Sequence, residues 1–548
     1  MPRSQRAGAL REGDRRAASE GRSPTRCQVK LASLKRILAV TALLALALRA
    51  EVATAAEHRL TLDEAVRLAL QRNEGLLIER ESLAASKAAV TGANGAYDPL
   101  VELNGGWSRS TEPVNSSFSG TSPAEIGPKF ESAEAGLSIQ QLLPTGGALL
   151  LRASGAREID EGLALLSPAY GTRVGLQLRQ PLLRDRGTDA ARLSVRVAKA
   201  GREGASASLR RAITETVAAV ERSYWALVAA RRGVEVREEA VRLAEEQLGE
   251  TQSRVETGSA PRTELAQPRA ELERRRGELL ASREALSRAE NALKLLILDG
   301  AGDALWDQQL APGEDANVEV VPVDIPASLE RALAGRPELT IADAVVKRRR
   351  AETAFARDGI WPSLDAVVSY DRFGIAGSRN PGGPAGTLPS ELDGDFAKSF
   401  ESLGRGDFDA ARVALVLGLP IGNRAARGNA AVARHVERQA EADLARVRKA
   451  IRAEVLDAAA ALETAGQRIE AARSGREAAE VQLSAERDRY DTGLSTNFLV
   501  LTRQNDLSRA RLDEISALTD YRTARTEMAR ATGSLIEDRG IEVGGTSR

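Results

Sequence analysis

Cysteine and histidine are almost missing from this 548-residue chain: Cys27 is the one thiol, and His58 and His435 are the two imidazoles. Cys/His zinc sites, a thiol nucleophile and Ser/His/Asp catalysis therefore have almost no raw material, and no catalytic residue, cofactor or metal is expected. Aromatic residues are scarce too, at 3%. An excess of either charge is also lacking, since Lys+Arg and Asp+Glu both number 77. A protein that neutralises phosphates with a basic face normally shows such an excess, so nucleic acid is not expected as a partner. Finally, no stretch approaches the ~20 apolar residues that a membrane-spanning helix needs. The run from Ile37 to Leu48 is too short; it follows Lys35 and Arg36 and leads to Ala53-Thr54-Ala55, the small-x-small form of a signal peptidase site. Residues 1–55 read as an export signal with an extra N-terminal stretch, translation being expected to start near Val29 or Leu31 and the mature chain at Ala56. Cys27 would leave with the signal, and a cysteine-free product suits an oxidising compartment.

What is present is a chain written twice. "RLALQRNEGLLIERESLAASKAAVTGANGAYDPLVEL" from Arg67 aligns without gaps with "ERALAGRPELTIADAVVKRRRAETAFARDGIWPSLDA" from Glu330. Leu70 falls on Leu333, Leu76 on Leu339 and Pro99 on Pro362, all at an offset of 263. Farther on, "RVETGSAPRTELA" from Arg254 is echoed by "RYDTGLSTNFLVL" from Arg489, now at an offset of 235. The expected organisation is a first repeat at 56–310, a linker at 311–326, a second repeat at 327–536 and a tail at 537–548. Each repeat should run helix, Pro-marked strands, very long helix, glycine turn, long helix.

The helices are read from period and from missing breakers. No proline interrupts Asp189 to Glu256, where Leu209, Ile213, Val217, Val220, Tyr224, Leu227 and Val234 recur in steps of three, four or seven. After Gly258, Leu265, Leu272, Leu279, Leu286 and Leu293 follow in sevens, matched by Val500, Leu507, Glu514, Tyr521 and Met528 in the second half. A period of seven predicts helices that supercoil against neighbours. Gly258 and Gly493 stand where the long helices end and predict left-handed caps at two hairpin tips. Pro268, just inside the returning helix, should kink it or delay its start.

Between the helical blocks the period becomes two. "RVGLQLR" puts Val174, Leu176 and Leu178 on one face and Arg173, Gln177 and Arg179 on the other, and "RVALVLG" and "SLDAVVSYD" behave similarly. Such alternation marks outer-membrane barrel strands, although a soluble sandwich would show it as well. Strands are expected near 98–110, 133–143, 148–156, 172–180, 364–373 and 411–419, with a long Gly/Ser/Pro loop at Gly374 to Gly406. Six strands cannot close a membrane barrel, so the barrel must be shared among chains.

The duplication, "YDP" at Tyr97, "WP" at Trp361, "QPLL" from Gln180 and the two Arg-x-x-x-Gly turns together resemble the TolC-like outer membrane efflux proteins, over roughly Leu60 to Leu535. The resemblance implies a mostly α fold with β: duplicated helical hairpins forming an α-barrel, continued by a transmembrane antiparallel β-barrel shared within a homotrimer. Pro99, Pro181, Pro362 and Pro420 would mark strand–helix junctions. It further implies an outer-membrane location reaching into the periplasm, contact with outer-membrane lipid, a periplasmic adaptor and an inner-membrane transporter as partners, and an exit duct for small molecules, metals or proteins. The tips would form its periplasmic gate. Carried over, Tyr490 is the tyrosine of the second tip and Glu264 matches an acid of the first. Leu499 and Thr502 replace an acidic ring found in some relatives, and Ser495 replaces an arginine. A less cation-selective gate is expected. Two strands per repeat are usual in the family; here a further hairpin at Leu142 to Gly155 would make eighteen strands per trimer instead of twelve, or else lie in a collar outside the membrane.

Two other classes compete. A periplasmic coiled-coil scaffold or adaptor would explain the leucine sevens without a membrane. An enzyme would need a catalytic acid pair, but Glu238-Glu239 and Glu245-Glu246 read as solvated helix faces paired with Arg, and His435 reads the same way. Glu264 can equally be an acid favoured by the dipole at a helix start.

Overall fold

The computed structural model describes residues 57–113, 127–162, 164–314, 318–383 and 387–541. The expected signal and translation start lie outside them. Two compact units divide the chain: a small one, of which Glu57, His58 and Asp307–Gln309 are described, and a large one, Arg59–Trp306 with Leu310–Arg548. Every element below belongs to the large unit.

The first half comprises helices α1 (Leu62–Arg72) and α2 (Glu74–Asn94), strands β1 (Leu100–Thr111), β2 (Lys129–Leu142), β3 (Ala148–Asp160) and β4 (Leu166–Pro181), then helices α3 (Ala190–Glu256) and α4 (Ala266–Ile297). The second half comprises α5 (Ile325–Gly335), α6 (Pro337–Asp358), β5 (Ser363–Arg379), α7 (Phe396–Arg405), β6 (Phe408–Gly418), α8 (Arg424–Asp491) and α9 (Asn497–Thr532). The duplication is visible element by element. Both ends of α5 keep the first sequence offset from the ends of α1, and the C-termini of α8 and α9 keep the second, smaller offset from those of α3 and α4. The offset shrinks between the two because β2 and β3 have no strand counterpart in the second half.

The helices form where the apolar steps predict them. All seven residues of the Leu209 to Val234 series are buried. All but Val234 pack into one core with α1, α4 and Trp225; the Tyr224 and Trp225 rings meet edge to face at 5.4 Å, and the Tyr224 hydroxyl donates to the Leu60 carbonyl at 3.2 Å. Leu272, Leu279 and Leu293 are likewise buried, as are Val500, Leu507, Tyr521 and Met528. The polar member of the second series, Glu514, is held by Arg476 at 2.7 Å and Arg473 at 3.9 Å. At 67 residues, α3 extends for about 100 Å. Pro268 does delay its helix. α9 begins at Asn497, whose counterpart is Arg262, but α4 begins only at Ala266, after a short 3-10 turn. Starting there puts Pro268 in the first turn, where its missing N–H has no helical acceptor to lose.

All six expected strands exist and lie in one antiparallel sheet, ordered β1 through β6 as in the chain. The additional hairpin is thus part of the sheet and not a separate collar. The expectation of a long loop at Gly374 to Gly406 is corrected: β5 continues to Arg379, and α7 fills part of the remainder. The Asp395 side chain accepts from the Ala397 and Lys398 amides at its start, and Gly406, with φ 74°, ends it. Four helices accompany each level of the chain: α2, α3, α6 and α8 lead away from the sheet, and α3, α4, α8 and α9 run to the tips.

Candidate functional site

The sheet has two chemically opposite faces, and the register shows which residues share them. One face carries Val101 and Leu103 of β1, Leu137 and Ile139 of β2, Leu149 and Leu151 of β3, Val174, Leu176 and Leu178 of β4, Val368 and Tyr370 of β5, and Val413, Leu415 and Leu417 of β6. The other carries Glu102, Asn104, Glu134, Arg152, Arg173, Gln177 and Arg179, with ion pairs from Arg173 to Asp371 at 2.9 Å and Arg179 to Asp365 at 2.6 Å. Exposed apolar side chains on one side and paired charges on the other fit lipid outside and water inside.

The limit of the apolar face supplies a second test. Moving outward along each strand on that face, the first charges are Arg109, Glu131, Arg157, Arg372 and Asp409, while β4 reaches none. Asp409 shares its register row with Arg372, Val174, Ala153, Leu137 and Leu103. The boundary therefore shifts along the register from the level of Arg109 to that of Leu103 over five strand steps. At ~3.4 Å per residue and ~4.8 Å between strands, a level boundary with that stagger means a strand tilt of about 40°, the value of transmembrane barrels. The junction prolines stand at the opposite end. Pro99 and Pro362 directly precede β1 and β5, Pro181 closes β4, and Pro420 lies just past β6. There Leu182 N–H donates to the Leu364 carbonyl at 2.7 Å, and Asn423 Nδ2 donates to the Ile360 carbonyl at 2.8 Å; the first of these ties the two repeats together.

At the other end of the helices the repeated phrase makes the same turn twice. Gly258 and Gly493 have φ of 77° and 76°. Gly258 N–H donates to the Val255 carbonyl and Ser259 N–H to that of Arg254, at 3.2 and 2.8 Å; Gly493 and Leu494 do the same to Tyr490 and Arg489, at 3.0 and 2.8 Å. This is the Schellman cap, and it requires the left-handed residue glycine supplies. Thr257 and Thr492 add a hydroxyl bond to the Ser253 and Asp488 carbonyls, each at 3.0 Å.

The tips meet at a pair that sequence reasoning did not assign, beside a weaker bond from Asn497 Nδ2 to the Thr251 hydroxyl at 3.4 Å. Arg254 Nη1 donates to the Tyr490 hydroxyl at 2.7 Å, and its guanidinium lies 4.7 Å from the Tyr490 ring centroid. Burial pushes the Tyr490 pKa up, against the pull of Arg254, so the phenol stays neutral at physiological pH. Tyr490 also packs with Leu483, Val500 and Leu507. Of the other sequence-derived candidates, Ser495 donates to the Glu486 carboxylate and thus serves its own tip. Glu264 is exposed in the 3-10 turn. Leu499 is 38% exposed, and Thr502 bonds back to the Phe498 carbonyl at 2.8 Å. The structure thus joins Tyr490 to the first tip and leaves Glu264 and Leu499 exposed on the single chain. The signal for Arg254 was the repeated Arg-x-acid-Thr-Gly itself, yet its counterpart Arg489 turns instead toward Glu486 at 3.8 Å.

Farther along the hairpin, Arg275, 3% exposed, clamps three helices. It donates to the Ala240 carbonyl on α3 at 2.9 Å, to Gln504 on α9 at 3.2 Å and to Glu271 on its own helix at 2.8 Å. The acid pairs considered for catalysis are salt-bridged: Glu238 to Arg283 at 2.8 Å, Glu245 to Arg276 at 2.9 Å and Glu246 to Arg242 at 2.6 Å. Among the described residues no group of His, Cys, Asp and Glu could hold a metal, and no helix is long and apolar enough to cross a membrane.

Solved structures share this fold. The chain is similar to the CmeC outer membrane channel of Campylobacter jejuni, with TM-score 0.61 and 16% identity over 88% of this chain and 90% of that one. It is also similar to the open state of the Neisseria gonorrhoeae MtrE outer membrane channel (0.57; 19%; 86% and 89%) and to the outer membrane protein VceC of Vibrio cholerae (0.57; 16%; 86% and 96%). No curated protein sequence matches the chain. The profile of the family described as "Outer membrane efflux protein" matches residues 65–297 and 328–534, one segment on each repeat. With its lipid-compatible sheet, its doubled helices and this match over most of its length, the chain belongs to the outer membrane efflux protein family.

Proposed function

We propose that three copies of this chain form one tube, an outer-membrane exit duct that carries small molecules, metals or proteins delivered by an inner-membrane transporter through a periplasmic adaptor. The observation that carries the reading is the two-faced sheet with two unpaired edges, β1 and β6. An open edge is not tolerated in lipid. Because six strands alternate in direction, β6 of one copy and β1 of the next run antiparallel, and the sheet continues across copies without a change of pattern.

Size favours the trimer with all six strands in its wall. Eighteen strands at ~4.8 Å spacing and ~40° tilt close a wall of roughly 110 Å circumference, and twelve helices at ~10 Å close one of roughly 120 Å. Twelve strands would give roughly 75 Å and force a narrowing at the junction. The helical tips, with Arg254, Tyr490, Glu264, Ser495, Leu499 and Thr502, form the periplasmic gate. An apolar Leu499 in place of an acid lets this gate close by excluding water and lowers its preference for cations. A duct needs no catalytic group, in keeping with the ion-paired acids.

The test is to extract the protein from outer membranes in detergent and measure its mass and channel activity. A heat-modifiable trimer that gives discrete conductance steps in planar bilayers is the expected result. A water-soluble monomer that leaves bilayers silent would overturn the proposal and restore the periplasmic scaffold.

A further inference from the structure

Helix α7 lies on the apolar face of the sheet, not at its rim. Its seat is the register row of Gly155, Thr172 and Gly374, on three neighbouring strands. A side chain at Gly374 would come within 2.0 Å of the Ser399 carbonyl oxygen, and one at Gly155 within 2.6 Å of the Phe396 ring, so the two glycines are what lets the helix sit down. The Thr172 hydroxyl donates to that same Ser399 carbonyl at 3.1 Å. Ser399 and Ser402 are fully buried against the strands.

With about 100° per residue, Lys398, Glu401 and Arg405 line one flank of α7, roughly a quarter turn from the buried serines. They pair with one another, Lys398 to Glu401 at 3.0 Å and Arg405 to Glu401 at 2.7 Å. The other flank holds Phe396 and Phe400, rings 5.2 Å apart, with Tyr170 at 6.0 Å from Phe396. Phe396 is 39% and Phe400 52% exposed. The seat straddles the tilted line of first charges: on β4 it fills the gap where that strand has none, between Arg157 on β3 and Arg372 on β5. This places α7 where the apolar band ends and the polar layer begins.

We propose that α7 is an interfacial helix that lies along the outer-leaflet boundary of the membrane, with Phe396 and Phe400 among the upper acyl chains and its charged face among the headgroups. It is continuous with the lipid-facing band, and its amphipathic division is that of helices that lie in an interface. Its occupant is outer-leaflet lipid. The effect is to fix the depth of the barrel, because sliding outward would hydrate the Phe pair and sliding inward would bury the Lys398–Glu401–Arg405 cluster. The inference rests on the duct reading, and its test separates the two.

With Cys27→Ser as background, nitroxide labels are placed one at a time at Phe400→Cys, Glu401→Cys and Val413→Cys, and the full chain is reconstituted in vesicles of phosphatidylethanolamine and phosphatidylglycerol. All three positions are exposed, so a label can be carried at each without displacing the buried seat of α7. Power saturation then compares collisions with oxygen, which partitions into lipid, and with a water-soluble nickel chelate. Position 413 should show oxygen over nickel severalfold, position 400 the same preference at a depth close to the phosphates, and position 401 the reverse. If 413 lies in lipid while 400 and 401 are both as nickel-accessible as free label, the interfacial helix is refuted and the duct stands. If 413 itself is aqueous, the membrane reading fails first and takes the helix proposal with it.

Discussion

Breaking the Arg254–Tyr490 contact should shift the proposed periplasmic gate toward its open state. Tyr490→Phe removes one hydrogen bond, donated by a charged group at 2.7 Å, and keeps the ring beneath the guanidinium. Hydrogen bonds to charged groups contribute about 1.5–3 kcal/mol; with Arg254 at a solvent-facing tip the lower end applies. About 1.5 kcal/mol is roughly a tenfold change in the closed-to-open ratio per chain, and if three chains open together the factors multiply to about a thousandfold. Arg254→Met loses the cation–π contact as well, about 0.5–1 kcal/mol more. The double variant should match Arg254→Met and not the sum of the two singles, since both changes remove one interaction. The measurement is open probability and step size in planar bilayers at fixed salt. If Tyr490→Phe channels stay closed like the unaltered protein, or if the two substitutions add with no coupling energy, the contact does not hold the tips and the assignment of the gate is wrong.

Other consequences can be checked alongside. Gly258→Ala and Gly493→Ala place a Cβ in open space but in a left-handed backbone, so each should cost about 1–2 kcal/mol of conformational energy alone and lower the thermal midpoint without altering trimer mass; a midpoint unchanged in the double variant would refute the cap argument. Leu499→Asp restores an acid near the second tip and should raise cation preference, read as a shift in reversal potential under a salt gradient. Burial works against the Glu527 carboxylate, but bonds from Arg530 and Arg222 overcome it and hold its pKa below the ordinary glutamate value; the same balance holds for Glu271 with Arg274 and Arg275. A depressed folded-state pKa contributes stability above the unfolded value, about 4.3, that is lost as pH falls through the folded one. The melting temperature should therefore hold at pH 5 and drop below about pH 4, and a flat profile from pH 5 to 3 would count against these ion pairs. Arg275→Ala leaves the Ala240 carbonyl and Gln504 without their buried donor and should destabilise the hairpin by about 3 kcal/mol in chemical denaturation.

The chain by itself determined the doubling, the four long helices, the two tips and all six strands. Each depends on local period or on residues with restricted backbones: Leu209 to Val234 in helical steps, glycine at 258 and 493, proline at the junctions. Even the delay at Pro268 follows from its missing N–H. Tertiary structure decided what local pattern does not encode. Whether Leu142 to Gly155 joins the sheet depends on ladders to β1 and β4, partners supplied from elsewhere in the chain. The choice of Arg254 over Arg489 as partner to Tyr490 depends on how two hairpins from different halves of the chain cross, since both arginines stand in the same local phrase. Least legible was α7. Its short span sits in a stretch rich in glycine and serine, and it holds a helix because Gly155 and Gly374, on separate strands, clear a seat for it. An amphipathic helix this short gains its stability from the surface it covers and not from its own propensity, and that surface exists only once the sheet has formed.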